Sequence, residues 1–296
     1  MVGVFSRSFS FPNKINPNRP SKPPISHHTR CVSLPCRSHP LISHLKDEIN
    51  DLKSWSNSKP ETRNSAWICD GLSRLKDLHD SLDDLLQIPQ TQESLRRQPY
   101  LVENLLEDFL KFVDVYGIFR TSVLSFNEEV TASQVGIRKR DDLKAALYIK
   151  ARKRLIIEMN KLVSTVRSIS VPAPALITVG DAEVAGVTGD VVEVTALVST
   201  TLFNGISSSF GARKSWRSGL GLSKKVKVEG GIEEFEKIGA ESLLELKKKK
   251  DEEIKMVLKR MQELESCIGR IESCSERVFR GLIKSKVSLL NTLTDR

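Results

Sequence analysis

Aromatic residues make up only 6% of this chain, and several other features are missing from it altogether. No segment sustains the apolar–polar alternation of a half-buried strand, which argues against a sandwich or a barrel. No C-x-x-C pair occurs among the five cysteines (Cys31, Cys36, Cys69, Cys267 and Cys274), and their number is odd. A secreted disulfide framework is therefore not expected, and a reducing compartment is. Met1 to Phe11 lacks the run of about 7–15 apolar residues that forms a secretory signal core. Valine at position 2 and the terminal "LTDR" give no expectation of N-myristoylation, prenylation or the commonest peroxisomal tag.

Acidic residues are missing locally. Residues 1–45 hold Arg7, Lys14, Arg19, Lys22, Arg30 and Arg37 and no acid. A second acid-free window, Val194 to Val228, carries Arg213, Lys214, Arg217, Lys224, Lys225 and Lys227. The formal charge of +9 over 296 residues is thus concentrated in two places, and the rest is close to balanced. Residues 1–39, rich in Pro, Ser and Arg and without periodicity, read as a disordered basic tail. Their composition also fits a plastid-type transit peptide, while Pro12, Pro17, Pro20, Pro23 and Pro24 prevent the amphipathic helix of a mitochondrial one.

From Pro40 onward the apolar residues recur at helical spacing, and the fold class is all-α. Leu41, Leu45, Ile49 and Leu52 mark a first helix with Pro40 in its first turn. Ile68, Leu72, Leu75, Leu82 and Leu85 mark a second over about 62–87, stopped by "IPQT". A third, after Pro99, presents the broad stripe Leu101, Leu105, Phe109, Phe112, Tyr116, Phe119 and Val123, as wide as a bundle centre requires. A fourth, about 140–168, is expected to turn Leu143, Leu147, Ala151, Leu155, Met159, Leu162 and Val166 inward. Pro172 and Pro174 break the chain. The small, apolar segment from Asp181 to Ser209 has an uncharged core of only 17 residues, Val194 to Phe210, short of the roughly 20 apolar residues of a lone span. It is expected as a buried bundle helix. Gly211 to Gly231 reads as a flexible basic loop.

The last segment has the clearest period. Ile254, Met261, Ile268, Ser275 and Leu282 repeat every seven residues, with Val257, Leu264, Ile271 and Val278 at the a-to-d offset. This predicts a long C-terminal coiled-coil-like helix, whose seam packs onto the protein's own bundle or serves association with a second copy or another protein. The organisation expected is a tail at 1–39 and a single, elongated helical bundle at 40–296.

Chemistry can be tested by elimination. Four of the five histidines (His27, His28, His39 and His44) lie in or beside the tail, and His79 is expected on a helix surface. Asp77, Asp80, Asp83 and Asp84 share a helix without a calcium-loop or His-x-x-Glu pattern, and read as a solvated acidic face. Cys31 and Cys36 stand too far apart for the usual zinc pairing with His27 or His39. Cys267 and Cys274 flank the seam, where oxidation would link a parallel dimer; reduced thiols are expected. "GLGLSKK" follows no strand and lacks the phosphate-loop spacing. No catalytic, metal or cofactor residues are assigned. Arg213, Lys214, Trp216, Arg217, Lys224, Lys225 and Lys227 suit contact with an anionic membrane surface. Nucleic acid is not an expected partner, since no recognised motif accompanies the basic residues.

Two blocks carry a family resemblance. "HHTRCVSLPCRSHP" supplies Ser33, Leu34, Pro35, Arg37, Ser38, His39 and Pro40 of a box ahead of the first helix, with Cys31 and Cys36 where serine is frequent. "LHDSLDDLLQIPQTQESL" supplies Leu82, Asp83, Asp84, Leu85, Leu86, Pro89, Thr91 and Gln92, with His79 where tyrosine is common. Together they resemble the plant-specific helical family related to the BYPASS proteins. The resemblance implies a non-enzymatic regulatory or interaction protein associated with root and shoot development. It implies a protein partner and no catalytic residues. The rival expectation is a peripheral membrane adaptor held by the 211–227 loop. Cytoplasmic location is expected, with the plastid as the alternative.

Overall fold

A computed structural model of the chain describes residues 39–58, 63–169, 179–210, 230–239, 243 and 248–294. In these residues it forms eight α-helices and no strand: α1 (Pro40–Asn57), α2 (Ser65–Leu86), α3 (Pro89–Arg96), α4 (Pro99–Arg138), α5 (Asp142–Arg167), α6 (Val179–Ser209), α7 (Glu233–Glu236) and α8 (Asp251–Thr294). Residues 1–38 of the expected tail and 211–229 of the expected 211–231 loop lie outside the described residues.

The helix ends follow from local chemistry. His39 caps α1, its Nδ1 accepting the Leu41 N–H at 3.3 Å, and Pro40 takes the first position, where no N–H is needed. Asn64 caps α2 by accepting the Trp67 N–H, and Asp141 caps α5 by accepting from Leu143 and Lys144. Pro89 and Pro99 each end one helix and open the next, so the "IPQT" stop is also the start of the short α3. Between α4 and α5 the chain reverses through Arg140 at φ 53°.

Side-chain pairs give the order and direction of the packed helices. Glu48 meets Ser81 and Trp55 meets Trp67, so α1 and α2 run antiparallel. The pairs Ser65–Arg270 and Asp83–Ser288 make α2 and α8 parallel. Gln134–Glu265 and Arg120–Glu276 make α8 and α4 antiparallel. Arg154–Glu129 closes the α4–α5 hairpin, and Arg152 reaches the Phe210 carbonyl beyond the end of α6. Lys46–Glu183, Lys53–Glu193 and Ser56–Thr201 return from α6 to α1, in parallel. The ring α1–α2–α8–α4–α5–α6 is therefore closed.

One continuous core fills it. Phe109, Phe112, Tyr116, Phe119 and Phe126 of α4 point inward, and Phe119 and Tyr116 meet Phe203 of α6. The segment expected as a buried helix is one: Val187, Val191, Val194, Val198, Leu202 and Ile206 are all buried. The heptad seam is also internal, with Ile254, Val257, Met261, Leu264, Ile268, Ile271, Val278 and Leu282 in the same core.

The α5 face needs correction. Leu143 and Leu147 point to solvent, and Tyr148, Ala151, Leu155, Met159, Leu162 and Val166 are the buried set. The expected series advanced by four residues at each early step. Each such step rotates about 40° beyond a full turn, so Leu143 and Met159 cannot share a face.

Two glycines provide a test of the packing. A Cβ on Gly71 would lie 2.2 Å from the Trp55 ring, which stacks on Trp67 with centroids 4.4 Å apart, whereas a Cβ on Gly269 would meet nothing within 4 Å. Gly71→Ala should destabilise the protein by about 2 kcal/mol through overpacking. Gly269→Ala, in the middle of α8, should stabilise it by about 0.5–1 kcal/mol. Urea denaturation of both variants checks the opposite signs.

Candidate functional site

The described residues of the resemblance blocks fall at one end of the bundle, where α1 begins, α2 ends, α3 turns, α4 and α6 begin and α8 ends. Of the first block, Ser33, Leu34, Pro35, Arg37 and Ser38 lie outside the described residues, and His39 and Pro40 start α1. Of the second, Leu82, Asp83, Leu85, Leu86 and Thr91 are buried, Gln92 is half-buried, and Asp84 and Pro89 are exposed.

Asp83 corrects the expected solvated acidic face. It is 0% exposed, while Asp77, Asp80 and Asp84 differ from it in burial. Its carboxylate accepts from Ser288 Oγ at 2.5 Å and Gln87 Nε2 at 2.6 Å, and Lys284 Nζ lies 2.8 Å away. A buried carboxylate is tolerated only with such donors. It ties the end of α2 to the end of α8. Sequence spacing contained the signal: Asp83 lies four residues after His79 and three before Leu86, on one helical line.

A second tether lies beside it. Asp181, at the start of α6, accepts from Ser94 Oγ at 2.6 Å and from Arg97 Nη2 at 2.8 Å. This pair of contacts gives the short α3 its place. At the other end of the bundle, Glu234 accepts from the N–H and the Oγ of Ser65, and Arg270 donates to the same Ser65 hydroxyl. None of these residues was singled out by sequence, since each carries an ordinary polar side chain at an ordinary spacing.

His79 is a further correction. Expected on a surface, it is 1% exposed, with its edge toward Phe109. Its Nε2 lies 3.3 Å from Thr195 Oγ1, and that hydroxyl already donates to the Val191 carbonyl at 2.7 Å. Nε2 therefore carries the proton and donates, leaving Nδ1 as a buried acceptor without a hydrogen-bond partner. No carboxylate orients the ring, so the geometry of a general base is not met. Burial lowers its pKa from 6.5 to about 4, with the nearby Asp80 charge opposing.

The thiols are equally withdrawn. Cys267 and Cys274 flank the internal seam and are buried with it. Burial and the neighbouring Cys274 push Cys69 up to about 12, and burial pushes Cys267 up as well. A thiol so shifted is not a nucleophile near neutral pH. Among the described residues no group of three His, Cys, Asp or Glu side chains is placed to hold a metal ion. An open groove of about 510 Å³ between α7 and α8 mixes Glu234 and Glu263 with Lys237, Lys259 and Arg270. The seven basic-loop residues Arg213, Lys214, Trp216, Arg217, Lys224, Lys225 and Lys227 lie outside the described residues.

What the arrangement does chemically is hold helices together. Residues 71–292 match the family model described as Protein BPS1, a span from within α2 almost to the end of α8. The chain belongs to this BYPASS-related family. No curated protein and no solved structure matches the chain.

Two variants probe the buried polar groups. Asp83→Ala should destabilise by about 3 kcal/mol, because Ser288 and Gln87 lose a buried charged acceptor. Lys284→Ala, at the half-exposed end of the same pair, should cost about 1 kcal/mol or less. Chemical denaturation ranks them. Between pH 6.5 and about 4 the unfolded chain protonates His79 and the folded chain does not. Stability should therefore fall by about 3 kcal/mol as pH drops through that window and then level off. His79→Tyr should abolish this share of the slope, seen by comparing urea midpoints of the two proteins across the window. Burial raises the Glu48 and Asp108 carboxyls, whose contribution has the opposite sign and is common to both proteins.

Proposed function

We propose that the protein is a non-enzymatic regulatory or interaction protein of plant development, acting in the growth of root and shoot. The family match over residues 71–292 carries this reading. The geometry supports it, since the buried His79, Asp83, Asp181 and Cys267 and the half-buried Cys69 are engaged by other helices or the core and form no nucleophile–base arrangement. The protein works in the cytoplasm through a protein partner. The seam of α8 lies in the core, so a partner is met by outward residues.

A second reading is peripheral attachment to an anionic membrane. It gains support from the basic residues of the Val194–Val228 window and, among the described residues, from the outer face of α5. It does not draw on α6, whose apolar side chains are buried in the bundle.

Disruption of the gene tests the leading reading. Seedlings lacking the protein should show altered root and shoot growth, restored by the intact chain. Normal growth of both organs in the null line would sink it. Recovery of the tagged protein in plastids would overturn the cytoplasmic assignment.

A further inference from the structure

The outer face of α5 combines exposed aliphatic and basic side chains along most of the helix. Leu143, Leu147, Lys150, Arg154, Ile157 and Lys161 follow one another at spacings of four and three residues. They form a straight stripe about 27 Å long on the side away from Tyr148, Leu155 and Met159. Leu143 is 82% exposed, Ile157 55% and Leu147 44%, so three large aliphatic side chains face solvent along one line. Lys153 flanks the stripe. The charges facing these residues are few. Asp142 stands at the helix start, Glu158 pairs with Lys161 at 2.8 Å, and Glu129 of α4 pairs with Arg154 at 2.9 Å.

We propose that this face of α5 docks onto an anionic lipid bilayer, with Leu143, Leu147 and Ile157 entering the interface and the lysines and arginines reaching the headgroups. The inference rests on the membrane-peripheral reading and moves the contact from the 211–227 loop to a formed helix.

Charge complementarity selects an anionic occupant: four exposed basic residues, Lys150, Lys153, Arg154 and Lys161, accompany the aliphatic ones. The order within the stripe selects lipid over a partner helix. Lys150, Arg154 and Lys161 occupy the same line as the aliphatic residues, so a facing helix would strip their charges of water. At a bilayer surface their long stems lie along the apolar boundary while the charged ends rise to the phosphates. Nucleic acid fits less well, since three aliphatic side chains add nothing to phosphate contact and no aromatic ring lies in the stripe.

The test is sedimentation of the full chain with phosphatidylcholine vesicles, with and without about one-third phosphatidylserine. The wild type should pellet with the anionic vesicles and stay in solution with the neutral ones. Lys150→Glu combined with Lys161→Glu should lower partitioning by at least about tenfold. Leu143→Ser combined with Ile157→Ser should lower it as well. Both pairs replace exposed residues, and an unchanged thermal transition shows that the bundle is intact. A chain with the six basic residues of 213–227 neutralised should still bind. Binding that survives both α5 variants and is lost with the neutralised loop overturns the α5 assignment and leaves the membrane reading standing. No pelleting with anionic vesicles overturns both. Retention of the wild type on polyglutamate resin without vesicle binding replaces lipid by an acidic protein.

Discussion

Burial of α6 is the constraint on which the rest of the structure depends. From Val194 to its end at Ser209 this helix has no charged residue, and its valines, Leu202, Phe203 and Ile206 must leave water. Neighbours on several sides achieve that: α5 and α1 flank it, while Tyr116 and Phe119 of α4 and His79 of α2 reach it across the core. Hydroxyls inside such a helix need partners, and α6 supplies them from its own carbonyls. Thr188, Thr195 and Ser199 each donate one turn back, to Val184, Val191 and Thr195. The hydroxyls of Thr195 and Ser199 can then accept from His79 and meet Tyr116 across the core. The polar atoms of the interior are thus organised from α6 outward.

Most of the fold was legible because amphipathic helices write their buried face at a fixed period. The α8 seam is the plainest case: a 3.5-residue repeat keeps one line facing its neighbours for the whole helix, and here those neighbours are α2 and α4 of the same chain. Periodicity names the line and not the partner, so both readings of the seam were open at sequence level. Leu143 and Leu147 were misplaced for a related reason. They are aliphatic, they lie near the start of a true stripe, and composition does not tell an exposed leucine from a buried one.

The polar anchors were harder to read, because their meaning lies in contacts distant in sequence. Asp83 sits among three other aspartates and differs from them only in facing Ser288 and Lys284, about two hundred residues away. His79 likewise looked like a helix-surface residue until α6 and α8 were laid against it. Both belong to the block with the strongest family resemblance, which gives that resemblance a physical content. Leu82, Leu85 and Leu86 bury the end of α2, Asp83 fixes α8 to it, Pro89 opens α3, and α3 in turn holds Asp181 at the start of α6.

It follows that the family match, running from α2 into the end of α8, describes a scaffold. Its acidic anchors are engaged by other helices: Asp83 has three donors, Asp181 is held by Ser94 and Arg97, and Glu234 is held by Ser65. A group so engaged cannot bind a ligand without first releasing a helix, and release would expose the apolar surface that the ring encloses. Recognition is cheaper on surfaces that folding leaves free, and there the chain has placed an aliphatic and basic line along α5, a helix whose inner face already rests on α4 and α6. The same side chains that defeat the inward reading of Leu143 and Leu147 are the ones with nothing left to do for the fold.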